Sequence, residues 1–317
     1  MVSKQTRDKN TAGSERERIM EKDSEILNEK SAAASDVAGC GAENAEEARQ
    51  TPKKKKKGKK IMKIILLSIL GIILIIAAVI IIFSKKNVGQ MDACVDETIT
   101  RISEKYKLTP IDAGEYSEMS AYGILKFHVS QYEVENIGNL SVMTVNAGVM
   151  QMATIVLSPY EKNLPLMSCD YMYMLSTRKA YIEFYDLVSE KDEGYLSWME
   201  RYKEEAKKYE DIKSVSASSG WYDYLITTAI YKSAGTKDDE KLRLLLGDEI
   251  DTYLSQASSY GKLTDEEKAA KAAKIKEYSD RLIDEGGVST SFFKKALGEE
   301  KTRAFFDKVF FGSEKYR

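Results

Sequence analysis

The chain has 317 residues and a formal net charge of −2, with one histidine and three cysteines. A single histidine, His128, argues against hydrolase triads and histidine-based metal sites. Cys40, Cys94 and Cys169 suit neither a disulfide framework nor a zinc or redox pair. The near-neutral total hides an asymmetry, because residues 91–317 carry 30 Lys and Arg against 39 Asp and Glu, a balance of −9, which argues against nucleic acid as a partner.

Residues 1–60 are rich in Lys, Glu, Ser, Ala and Gly and nearly free of aromatic and branched apolar residues. They cannot bury enough surface to offset ordering entropy and are expected to form a disordered tail with a polybasic end. A charged stretch near 15–30 is expected to be transiently helical, and Gly39-Cys40-Gly41 is too short to cradle phosphate.

Residues 64–83 hold no charge and only Ser68 as a polar side chain. At ~1.5 Å per residue, twenty residues reach across the ~30 Å hydrocarbon core. Sixteen of the twenty are Ile, Leu, Val or Phe, giving an insertion term of about −5 to −10 kcal/mol. The stretch exceeds the apolar region of a cleaved signal peptide and no small-x-small site follows it, so residues 61–84 are read as a signal-anchor helix in a lipid bilayer. Lys53 to Lys57, Lys59, Lys60 and Lys63 precede the span, against Lys85, Lys86 and Arg101 after it. This excess predicts a single-pass cell-membrane protein with a cytoplasmic N-terminus and an extracytoplasmic C-terminal domain.

Met91, Val95, Ile99, Ile102 and Tyr106 fall at helical spacing, and with the punctuation of Pro110 and Gly114 they predict a juxtamembrane helix and linker over 85–122. Alternating and β-branched runs then predict strands at 125–134, 140–146, 150–157, 171–175 and 180–188, joined by short turns and therefore mainly antiparallel. Helices are predicted at 194–208, 220–233, 238–258, 265–284 and 291–311. The fourth opens on a Thr264/Glu267 capping box and is stopped by Gly286-Gly287. Strands followed by helices make one α+β domain over 123–317.

No nucleophile elbow, Walker loop, HExxH or CxxC is present. Asn139-Leu140-Ser141 is a glycosylation triplet of a kind that arises often by chance. Asp170 lies at the entry to a central apolar strand, and Asp186 lies near the end of the next. A carboxyl among apolar and aromatic neighbours is favoured in its neutral form and suited to donate a proton. Equally, Asp170 could cap a turn through backbone contacts.

Pro159, Leu164-Pro165 and Asp170 follow one another at the spacing of a strand-ending proline, a Leu-Pro and an Asp five residues later, and 291–312 reads SFFKKALGEEKTRAFFDKVFFG. In both features the chain resembles the ferredoxin-dependent bilin reductases, over about residues 123–312. The resemblance implies an α/β/α sandwich with a linear tetrapyrrole held between sheet and C-terminal helices. It further implies reduction by single electrons without flavin, metal or other cofactor. Asp170 matches the family's proton-donating Asp, with Asp186 or a tyrosine assisting. The histidine that some members carry falls near Thr154 here, Ser168 replaces a glycine, and no proline follows Asp186. Two readings result: an oxidoreductase acting on, or a protein binding, a linear tetrapyrrole, with an unidentified electron donor, or a non-catalytic cell-surface ectodomain that binds a ligand or partner.

Overall fold

The computed structural model describes residues 55–123, 125–287 and 289–316. The tail up to residue 54, with its helical stretch near 15–30 and Cys40, lies outside the described residues. The chain divides into residues 1–64 and 65–317, and the architecture below belongs to the second unit.

Helix α1 (Lys55–Lys105) contributes its residues 65–105 to this second unit. Its most apolar stretch has a mean hydropathy of 3.5 with side chains exposed, so among the described residues one helix is long and apolar enough to cross a membrane. Beyond Ser84 its character changes. Asn87, Met91, Cys94, Thr98 and Ile102 recur every three or four residues and are buried, which docks this half of the helix on a sheet.

Strands β1 (Leu108–Ile111) and β2 (Glu118–Ala121) arise within the stretch read from sequence as helix and linker. Both pair with β3 (Leu125–Val134), one against each half. The chain continues through β4 (Gly138–Asn146), β5 (Met150–Pro159), β6 (Leu166–Met174) and β7 (Thr177–Tyr185), then α2 (Glu193–Ala206), β8 (Ile226–Gly235), α3 (Asp239–Ser259) and α4 (Asp265–Asp284). It ends in α5 (Thr290–Leu297), α6 (Glu299–Phe305) and a π-helical turn, Phe306–Phe310. Among the described residues eight strands form one sheet, ordered β1-β3-β4-β5-β6-β7-β8 with β2 also on β3, and every pairing is antiparallel.

Two sequence expectations are corrected. The helix expected at 220–233 is a 3-10 turn, Trp221–Leu225, followed by strand β8. Ile226, Thr227, Thr228 and Ile230 are β-branched, and the free edge of β7 offers them a ladder, so pleated packing wins over helical spacing. The helix expected at 291–311 breaks at Gly298, whose φ of 83° is open to glycine and costly for other residues.

Side-chain alternation divides the core between two faces. Ile155, Cys169, Tyr171, Ile182 and Phe184 face the layer made by α1, α2 and α3, where Trp198 meets Phe184 edge-on at 5.2 Å. Val145, Val156, Leu166 and Tyr185 face α4, α5 and the C-terminal turns, with Tyr278, Phe293 and Phe305. The result is an α/β/α sandwich. Cys94 and Cys169 are both free and buried. Asn139 is buried and bonded to Gln131 and to the carbonyl of Val309, which removes it as a glycan acceptor in the folded chain.

Two buried cations tie these layers together, and a buried carboxyl, Glu249, lies among them. Arg178 pairs with Asp239 at 2.5 and 3.3 Å and donates to the carbonyls of Leu175 and Thr177, fixing the β6–β7 turn to the start of α3. Lys271 donates to the carbonyls of Leu164 and Leu187 at 2.5 and 2.7 Å, holding α4 over two loops. Glu249 is buried beside the Tyr202 hydroxyl, and the pair lacks good hydrogen-bond geometry, so this interaction only partly offsets the carboxyl's loss of water.

Burial pushes the Glu249 carboxyl up to about 8 from its ordinary 4.5. In that window the unfolded chain releases a proton that the folded chain keeps, so stability falls as pH rises from about 4.5 to about 8. Glu249→Gln is expected to flatten this decline, gaining roughly 3–5 kcal/mol relative to the parent between the two ends of the window. Urea unfolding of both proteins at pH 5 and pH 8 measures the difference in slope.

Candidate functional site

The α4–α5 face of the sheet holds a cavity of about 510 Å³. That is within the roughly 300–1,000 Å³ of small-molecule sites. Its floor is the outward alternation of the central strands. Met143, Met150, Met152 and Met172 supply soft apolar contacts, and Phe292 and Phe293 from α5 form a wall. A narrower cavity of about 90 Å³ continues between the sheet and α4 toward Leu166, Tyr185 and Tyr278. Asp170 and Glu183 line both cavities and stand at the neck between them.

Register puts these groups together. Asp170 is the fifth of nine residues in β6, flanked by Thr154 on β5 and Tyr181 on β7. Glu183 sits opposite Ser168, one step along the same face. The Thr154 hydroxyl donates to Oδ1 of Asp170 at 2.5 Å. Glu183 accepts at both oxygens, from the Tyr185 hydroxyl at 2.6 Å and from the Tyr231 hydroxyl at 2.9 Å, which is the role of a carboxylate anion. Burial and the Glu183 carboxylate keep both phenols protonated well above ordinary tyrosine behaviour.

Asp170 is shifted in the direction that proton donation requires. Burial pushes its carboxyl up to about 6 and the Glu183 charge adds to this, while the Thr154 hydrogen bond opposes it. Two adjoining carboxyl groups therefore have distinct characters, one a hydrogen-bonded acceptor and the other an acid able to hold a proton near neutral pH.

The structure does not bring Asp186 to this site. It lies just past the end of β7, in an ion pair with Lys191, and it accepts from the Tyr195 hydroxyl at 3.1 Å. His128 is solvent-exposed on β3 and does not line the cavity. Thr154, the position to which the resemblance assigns some members' histidine, is the direct partner of Asp170. Sequence reasoning missed Glu183, although Lys179, Tyr181 and Glu183 alternate along β7 and share the face of Asp170. Among the described residues no group of three or more His, Cys, Asp or Glu is placed to hold a metal ion.

No family model matches the chain, and no curated protein matches it. Among solved structures the chain is similar to phytochromobilin synthase from tomato in complex with biliverdin, with a TM-score of 0.59 and 13% identity over 70% of this chain and 82% of that one. At that identity the likeness is one of fold, and the domain has a bilin-reductase-like architecture.

Proposed function

We propose that the domain binds a linear tetrapyrrole in the sheet-face cavity and that Asp170 donates a proton to it during reduction. The observation that carries this reading is Asp170 itself, a carboxyl pushed up to about 6 at the neck of a methionine- and phenylalanine-lined cavity. The fold likeness to a synthase solved with biliverdin supports the class of ligand. Reduction of one double bond takes up two electrons and two protons. The electrons come from an external one-electron donor, the first proton from Asp170 and the second from solvent. Burial keeps the proton on Asp170, and Glu183, already accepting two phenolic hydrogen bonds, adds to that effect. Asp186, committed to Lys191 and Tyr195, anchors the end of β7 in this reading.

The test is spectroscopic. Full-length protein in detergent is expected to shift the visible spectrum of added biliverdin, and a chemical or enzymatic one-electron donor to bleach the bound pigment. An unchanged spectrum at high micromolar pigment would sink the proposal. Thr154→Val removes the one hydrogen bond that lowers the Asp170 pKa, so the falling limb of the reduction rate is expected at higher pH than in the parent.

The lysines before residue 64 favour a second reading, in which α1 is a membrane anchor and the domain lies outside the cytoplasm, beyond the reach of cytosolic ferredoxin. The cavity would then bind pigment without turnover. Protease accessibility of the domain in intact cells separates the two placements.

A further inference from the structure

One end of the sheet combines features that folding does not require. Among the described residues after 84, seven large apolar side chains are exposed, and four of them, Tyr122, Val149, Met174 and Leu175, sit at the turns of this end. Tyr122 and Leu175 hold φ values of 53° and 49°, a left-handed conformation that bulky residues adopt at a cost and that Gly or Asn would fill more readily. Large apolar groups are thus displayed where small polar ones would be more stable. Among the described residues the β3–β4 and β5–β6 turns at the opposite end display none, and the one such residue beside the start of β8, Tyr224, is engaged by Arg281.

The same end is fastened to α1 where its apolar stretch ends. Asn87 donates to the Leu175 carbonyl at 3.2 Å, Gln151 donates to the Ser84 hydroxyl at 3.2 Å, and the Leu175 amide donates to the Val149 carbonyl at 3.3 Å. Asn87 stands four residues past Phe83, about 6 Å along the helix. That is about the depth of one headgroup layer, the difference between the ~30 Å core and the ~40–45 Å bilayer divided over two leaflets. Lys85 and Lys86, exposed and without an ion-pair partner among the described residues, stand at that level, where anionic lipid headgroups would receive them. The wide half of the cavity, with Leu125, Met150 and Met172, lies at this end too.

We propose that this rim, built from Val149, Met174, Leu175 and Tyr122, is a lipid-docking surface seated in the headgroup layer of the bilayer from which α1 emerges. The proposal rests on α1 spanning that bilayer and is independent of pigment chemistry. The occupant is lipid because a polar side chain of the helix, one turn past its apolar stretch, holds the rim's own backbone.

The test uses the full chain with Cys40→Ser, reconstituted in vesicles of phosphatidylcholine and phosphatidylserine and labelled with an environment-sensitive fluorophore. Single cysteines are placed by Leu175→Cys, Val149→Cys, Ile73→Cys in the span and Glu135→Cys at the opposite end, while the buried Cys94 and Cys169 stay unreactive. Labels at 73, 149 and 175 are expected to be quenched by brominated lipid several times more strongly than the label at 135. If 73 is quenched while 149 and 175 respond only to aqueous iodide, the rim does not dock. If 149 and 175 are shielded from both quenchers, a protein neighbour covers them and the proposal is equally overturned. An unquenched label at 73 removes the span and the rim together.

Discussion

Asp170→Asn is expected to leave pigment affinity within a few-fold of the parent and to lower the rate of reduction by about 10²–10⁴-fold, the range of a lost general acid. The amide keeps the size and polarity of the carboxyl and can still meet Thr154, so the cavity stays formed. What it lacks is a proton to release. In the parent the working form is the protonated acid, with its pKa raised to about 6 by burial first and by Glu183 second. The rate should therefore hold below about pH 6 and fall roughly tenfold per unit above it, whereas the Asn variant should show a low rate without that limb. Stopped-flow bleaching of bound pigment across pH 5 to 8 measures both. An Asn variant that turns over at the parental rate would remove Asp170 from its role.

Arg178→Leu is expected to cost about 3–5 kcal/mol, because it strands Asp239 in a nearly closed site and frees two carbonyls of the β6–β7 turn. For a domain of this size the melting temperature should drop by about 10 °C or more. Replacing both partners by leucine should recover a large part of the loss, since the penalty comes from the unpaired charge. Thermal melts of the two single variants and the double variant in one detergent give the coupling directly. A single variant that melts with the parent would show that the pair contributes little.

Parts of the architecture were legible because local and tertiary preferences agree. Strand β3 spans the residues that alternation indicates, and α4 begins on Thr264, whose hydroxyl accepts from the Glu267 amide while the Glu267 carboxylate accepts from the Thr264 amide. Elsewhere the deciding term lies far away in sequence. Residues 226–235 become a strand because β7 has an open edge beside them, a fact invisible in the local sequence of 220–233. Pro110 argues against a strand, yet β1 accommodates it at the margin of the sheet. The Leu164-Pro165 spacing marks Asp170 as a candidate without revealing its setting, because strand β6 begins at Leu166 and puts it mid-strand instead of near a turn. Glu183 escaped notice because nothing in its own neighbourhood marks it. Its significance comes from register with Ser168 and from two tyrosines on different strands.

Helix α1 contains no proline, and its one glycine beyond the apolar stretch, Gly89, lies between buried Asn87 and Met91 without interrupting the helix. There is consequently no swivel between the apolar segment and the sandwich. With the helix seated in lipid, the domain would tumble only as fast as the membrane lets the helix turn. Its anisotropy would decay on the slow timescale of uniaxial rotation about the bilayer normal, and the cavity would keep one constant tilt toward the membrane plane.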